Sequence, residues 1–139
     1  MRLTFEQFIT KYCGKKVDYD KVYGAQCVDL FRQYCQDVLN IPHTGSVDGA
    51  KDLYEKYQEL PVEQKYFVPL IRSAEPEFGY VAVWGSTPMN RYGHVALVLA
   101  KLNDSTLLVF EQDGYAQDGA KIVKRNLNNL LGYLRYTGA

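Results

Sequence analysis

Two rhythms of hydrophobic positions divide the chain. In the first half apolar residues recur at helical spacing: Leu30, Phe31, Tyr34, Cys35 and Val38 form one stripe, and Ala50, Leu53, Tyr54 and Tyr57 suggest a second. Thr4 can cap an earlier helix with Gln7 at the capping-box position, and Gly14 can end it, which predicts a helix near residues 4–13. Lys15 to Ala25 reads as a loop. The helix that begins at Cys27 runs to about Asn40, where Ile41-Pro42 forces a break. Pro61, Pro69 and Pro76 punctuate a stretch that reads as an irregular connector.

Beyond it the rhythm changes to short β-rich runs separated by Gly, Asn and Asp turns: Tyr80–Trp84, His94–Ala100, Thr106–Phe110, Lys121–Arg125 and Tyr133–Tyr136. The expected fold is α+β, with N-terminal helices packed on a C-terminal antiparallel sheet. There is no internal repeat, low-complexity segment or interdomain linker, so residues 1–139 are expected to form a single domain.

Composition narrows the function classes. With 139 residues, 47% of them hydrophobic, and six Phe, twelve Tyr and one Trp, the chain can bury a core without disulfides. Its formal net charge is zero and it has no dense basic tract, which argues against nucleic acid or an anionic membrane as the main partner. No apolar run reaches membrane-spanning length, and Met1 to Glu6 lacks the apolar centre of a signal peptide, so synthesis in a cytoplasm and a monomeric state are expected. Three cysteines cannot all pair with one another, which fits a reduced protein with one working thiol.

The candidate thiol is Cys27. A thiol reacts as its thiolate, and a helix N-terminus favours that anion. The approach Tyr23-Gly24-Ala25-Gln26 is small enough for a substrate backbone to come close, and Gln26 carries an amide suited to an oxyanion hole. Cys35 falls on the apolar stripe and Cys13 closes the first helix, so both read as small hydrophobes. His94 begins a strand, and Leu107, Val109 and Glu111 share one face of the next by alternation. A hairpin would bring Glu111 beside His94 to orient the imidazole, while the other ring nitrogen meets Cys27. His43, the one rival base, sits in an ordinary loop, and Glu111 to Gly114 could equally be a polar strand end.

These pieces together resemble a CHAP domain, the cysteine, histidine-dependent amidohydrolase/peptidase module of bacteriophage endolysins and bacterial wall hydrolases. The resemblance rests on Gly24–Leu30, Gly79–Gly85, Gly93–Ala96 and Phe110–Asp113, and covers nearly the whole chain. It implies a papain-like fold of the NlpC/P60-type superfamily and hydrolysis of an amide bond in peptidoglycan, with Cys27 as nucleophile, His94 as base, Glu111 as its orienter and Gln26 at the oxyanion. It also implies action on the cell wall by a protein made in a host cytoplasm. Two positions depart from the family pattern. Tyr80 stands where Asp is usual, and Asp113 stands where Asn is common, which makes Asp113 the other candidate for holding His94.

A second constellation overlaps the first. Counting from Asp18 as position 1, Asp20, Val22, Gly24 and Asp29 fall at 3, 5, 7 and 12, the ligand spacing of an EF-hand calcium loop. Tyr23 at position 6 and Asp at 12 rule against an ordinary EF-hand, and spacing alone serves a solvated acidic turn equally well. Some CHAP domains bind calcium in the corresponding loop, so the resemblance implies calcium held by the side chains of Asp18, Asp20 and Asp29 and the carbonyls of Val22 and Gly24. Two functions remain open at this stage: a peptidoglycan endopeptidase or amidase, and a calcium-braced module that holds wall peptides without turnover.

Overall fold

The computed structural model describes residues 2–21, 24–42 and 44–138. Val22, a predicted calcium ligand, and His43, the rival base, lie outside the described residues. Thr4 Oγ1 accepts from the N–H of Gln7, and the Gln7 amide accepts from the N–H of Thr4, so the predicted capping box opens α1 (Phe5–Tyr12). Helix α2 (Cys27–Tyr34) continues through a π turn (Cys35–Leu39) and stops at Asn40, whose left-handed conformation lets its N–H reach the carbonyl of Cys35. Leu30, Phe31, Tyr34 and Cys35 are buried along one side, as the stripe requires.

The third predicted helix is one turn, α3 (Asp52–Glu55), followed by a 3-10 turn (Tyr57–Glu59). The stretch expected to be irregular instead contains a helix, α4 (Pro61–Tyr66), and a strand, β1 (Phe67–Ile71). The prolines permit both. Pro61 occupies the first helical turn, where its missing N–H costs nothing. Pro69 lies on an edge strand, where the absent donor need not serve a neighbour.

Strands β2 (Val81–Trp84), β3 (His94–Asn103), β4 (Thr106–Gln112), β5 (Ala120–Asn126) and β6 (Leu130–Tyr136) complete a six-stranded antiparallel sheet in the order β1-β6-β2-β3-β4-β5. This is the predicted α+β arrangement. Both faces of the sheet are covered. Val81, Val83, Val95, Leu97 and Phe110 pack with α1 and α2 in one core, and Ala82, Trp84, Ala96, Val98, Leu107, Val109 and Tyr133 form a second core on the opposite face.

The second core exists because the sheet curls. Four strand spacings separate β5 from β6, about 19 Å in a flat sheet. The four steps from Asn126 to Leu130 span at most about 14 Å. The sheet must therefore bend until the end of β5 returns toward β2, and the indole Nε1 of Trp84 on β2 donates to the carbonyl of Asn126 at 3.1 Å. Register shifts at Val83/Trp84 and Val98/Ala100 supply local curvature. No helix among the described residues is long and apolar enough to cross a membrane.

Candidate active site

Cys27 is the first residue of α2, which packs against β3. Gln26 precedes it as N-cap in an extended conformation, and its N–H donates to Asp29 Oδ2 at 2.9 Å. Asp29 at the third helical position thus fixes the turn that presents the thiol. His94 opens β3 and is delivered by Gly93 at φ +75°, where a Cβ would run into the carbonyl of Trp84 and the side chain of Lys51.

Alternation puts His94 and Glu111 on the same face, as the sequence predicted, and His94 Nε2 lies 3.0 Å from Glu111 Oε1. The other ring nitrogen is left for Cys27, which lies near enough to act on the charge of the imidazole. Glu111 is 2% exposed and also receives Arg125, whose Nε donates to Oε1 and Nη2 to Oε2, both at 2.7 Å. The Arg125 guanidinium lies 5.6 Å from the ring centroid of Trp84, and that ring lies 5.7 Å from the ring of His94. A cleft of about 460 Å³ opens over Trp84, His94 and Arg125, walled by Asn90, Asn126 and Asn128.

These contacts set the protonation states. Burial works against an imidazolium at His94, but hydrogen bonds and charge from Cys27 and Glu111 override it and raise the group to about 9. Burial likewise disfavours a carboxylate at Glu111, yet the donors of His94 and Arg125 lower it to about 2. At neutral pH the arrangement holds a protonated imidazole between an ionised Glu111 and Cys27.

The other predicted residues are placed as follows. The Asp113 carboxylate serves a turn, with Oδ1 accepting from Tyr115 N–H at 2.8 Å, so the carboxylate that meets His94 is that of Glu111. The Gln26 side chain lies against Gly114, where a Cβ would collide with its amide. Asp18, Asp20 and Asp29 converge, offering one oxygen each within 4.8 Å of one another. Oδ1 of Asp18 is buried with no hydrogen-bond partner among the described residues. Burial, followed by the charges of Asp20 and Asp18, raises Asp29 to about 6 against the lowering effect of the Gln26 N–H.

Sequence reasoning missed three side chains. Gln112, fully buried, binds the loop to the sheet by accepting from Val17 N–H at 2.7 Å and donating to the carbonyls of Val17 and Gln26 at 2.7 and 2.8 Å. Gln117 does the same for Ala25, accepting from its N–H at 3.2 Å and donating to its carbonyl at 2.8 Å. The acidic loop is thereby fixed at both ends. Arg125 is the third, and only the buried carboxylate of Glu111, which needs a countercharge, hinted at it.

The CHAP domain model matches residues 15–113. A D-alanyl-L-alanine endopeptidase of Streptococcus phage B30 is 27% identical over 96 residues, covering 68% of this chain and 21% of that protein. Endolysin PlyTW of Staphylococcus phage Twort is 27% identical over 107 residues, covering 67% of this chain and 19% of that protein. The chain thus spans about a fifth of the length of these curated relatives. Among solved structures, the wild-type endolysin LysIME-EF1 superposes with a TM-score of 0.67 at 19% identity, over 96% of this chain and 64% of that one. Ly7917 gives 0.69 at 16% identity, over 93% and 60%. The solved structures share the fold, and the family model spans more than half of the sequence, including Cys27, His94 and Glu111: the chain belongs to the CHAP domain family.

Proposed function

We propose that the chain is a peptidoglycan hydrolase that cleaves an amide bond of the bacterial cell wall through Cys27, His94 and Glu111, with the D-alanyl–cross-bridge bond as its target. The observation that carries this reading is the gathering of Cys27, at the start of α2, with His94 and the buried Glu111, whose carboxylate lies 3.0 Å from the imidazole. The name of the streptococcal phage relative supports an endopeptidase over an N-acetylmuramoyl-L-alanine amidase.

In this mechanism the Cys27 thiolate attacks the scissile carbonyl, and the oxyanion develops beside the open N–H groups at the start of α2 and the Gln26 amide. His94 then gives its proton to the leaving amine, so the C–N bond breaks and a thioester remains on Cys27. A water loses a proton to His94, attacks the thioester and releases the acid. Glu111 keeps the imidazole oriented and its charge balanced throughout, while Asp113 shapes the turn beside it. A module that only held wall peptides would have no use for an imidazolium next to a thiol.

Calcium fits the acidic loop. Oxygens bound to one calcium at about 2.3–2.6 Å can be no more than about 5 Å apart, and the three carboxylates meet that limit with one buried oxygen lacking a partner. Asp18, Asp20 and Asp29 would hold the ion with the carbonyls of Val22 and Gly24. The ion would supply a cross-link that relieves repulsion between the carboxylates and, through Asp29, stiffens the turn that presents Cys27. Digestion of purified streptococcal peptidoglycan, with the new termini identified by mass spectrometry, tests the reading. New amino groups on cross-bridge alanine support the endopeptidase. Free L-alanine amino termini on stem peptides assign the amidase instead, and an undigested wall refutes both.

A further inference from the structure

We infer that Arg125 is a positioning residue of the reaction, whose two-pronged grip on Glu111 fixes the plane of that carboxylate and thereby aims His94 at Cys27. The inference rests on the proposed Cys27 chemistry. A carboxylate that bonds one imidazole nitrogen through one oxygen can still swing about its own side-chain bonds, and the imidazole swings with it. The paired contacts from Nε to Oε1 and Nη2 to Oε2, each 2.7 Å, remove that freedom, because a planar fork matches a carboxylate in one orientation only.

Arg125 is itself held. Trp84 lies beneath the guanidinium and beside His94, its indole is tied to the Asn126 carbonyl, and it is 4% exposed, so one ring covers both the base and the residue that braces the base's partner. Arg125 sits four strand positions from the residue paired with Glu111, which is Lys121, and its long side chain spans that diagonal. The charged or titratable groups around Glu111 are His94 from β3, Arg125 and Lys121 from β5, Asp118 in the preceding loop and Asp113, whose charge acts on Arg125 and Lys121, with Cys27 beyond the imidazole. Lys121 is bonded to Asp118 at 2.7 Å, which leaves Arg125 as the β5 cation that bonds Glu111 directly, beside the His94 imidazolium.

The role separates charge from geometry. Arg125→Gln removes both, whereas Arg125→Lys restores a positive charge without the fork. The two variants are compared with the parent in a Cys13→Ser background, so that the exposed second thiol does not react. One readout is the rate at which iodoacetamide alkylates Cys27. The other is the downfield proton resonance of His94 Nε2–H in its bond to Glu111, followed as pH is lowered. Misplacement by about 1 Å costs on the order of a hundredfold in a positioned reaction, so Arg125→Gln should slow alkylation by roughly ten- to a hundredfold at pH 7 and broaden the resonance. Arg125→Lys should preserve the resonance to lower pH than Arg125→Gln while recovering less than half of the lost alkylation rate. Arg125→Gln with a wild-type rate and resonance overturns the inference, whatever its melting temperature. Full recovery by Arg125→Lys overturns it too, since charge alone would then suffice. Neither readout uses the cell wall, so a protein that passes both and leaves peptidoglycan intact refutes the proposed substrate and not the role of Arg125.

Discussion

Replacing Glu111 by Gln should remove a stability term with a distinctive dependence on pH. Glu111 titrates at about 2 in the folded chain against 4.5 without its surroundings. At about 1.4 kcal/mol per pH unit, that difference is on the order of 3 kcal/mol. The folded value is depressed, so this stability is present above pH 4.5 and is lost as pH falls through about 2. His94 is displaced the other way, from 6.5 to about 9, so its contribution is present below pH 6.5 and is lost as pH rises through about 9. The two displacements share the His94–Glu111 contact, which is counted once, while Cys27 supplies part of the His94 shift and Arg125 part of the Glu111 shift. Urea unfolding of wild type and Glu111→Gln across pH 2–10 should therefore give a stability difference that rises through the acid range, holds near 3 kcal/mol between about pH 4.5 and 6.5, and declines toward pH 9. The part of the His94 shift due to Cys27 should survive in the variant. A difference that is constant across the whole range would refute the buried ion pair.

Gln112→Leu should keep the volume of the side chain and lose three hydrogen bonds of 2.7–2.8 Å, leaving backbone groups of Val17 and Gln26 without their partner. A cost of roughly 3 kcal/mol and a fall of about 10 °C in melting temperature are expected by calorimetry, together with weakened calcium binding. A chelator should lower activity and melting temperature together, and calcium should restore both. Asp20→Ala should respond to neither treatment, and magnesium should substitute poorly because its small octahedral shell suits such a loop badly. Calorimetry that finds no binding at millimolar calcium, with chelated enzyme fully active, would exclude the metal. Cys13→Ser should leave lytic activity and melting temperature unchanged, whereas Cys35→Ser should keep activity but melt lower, since it places a hydroxyl in the apolar core.

Features governed by local rules were legible in the chain. The capping box at Thr4, the helical stripe after Cys27 and the alternation that pairs Glu111 with His94 each depend on neighbours within one element or one hairpin. The acidic trio was visible because Asp18, Asp20 and Asp29 are close in sequence. The prolines misled, since Pro61 starts a helix and Pro69 sits on an edge strand, and edge position is a property of the whole sheet. Arg125 was hidden for the same reason. It meets Trp84 only because the sheet curls, and it reaches Glu111 across four positions of the β4–β5 pairing, a diagonal that no spacing in the sequence encodes. Gln112 and Gln117 were equally invisible, because their partners are backbone groups on a distant loop.

The most direct test of the central claim is the release of new amino groups from purified peptidoglycan by wild type and by Cys27→Ala, with folding of both matched by circular dichroism. The account predicts steady release by wild type and none above background by Cys27→Ala, because alanine cannot form the thioester. Release by Cys27→Ala at the wild-type rate would contradict it and require a different nucleophile.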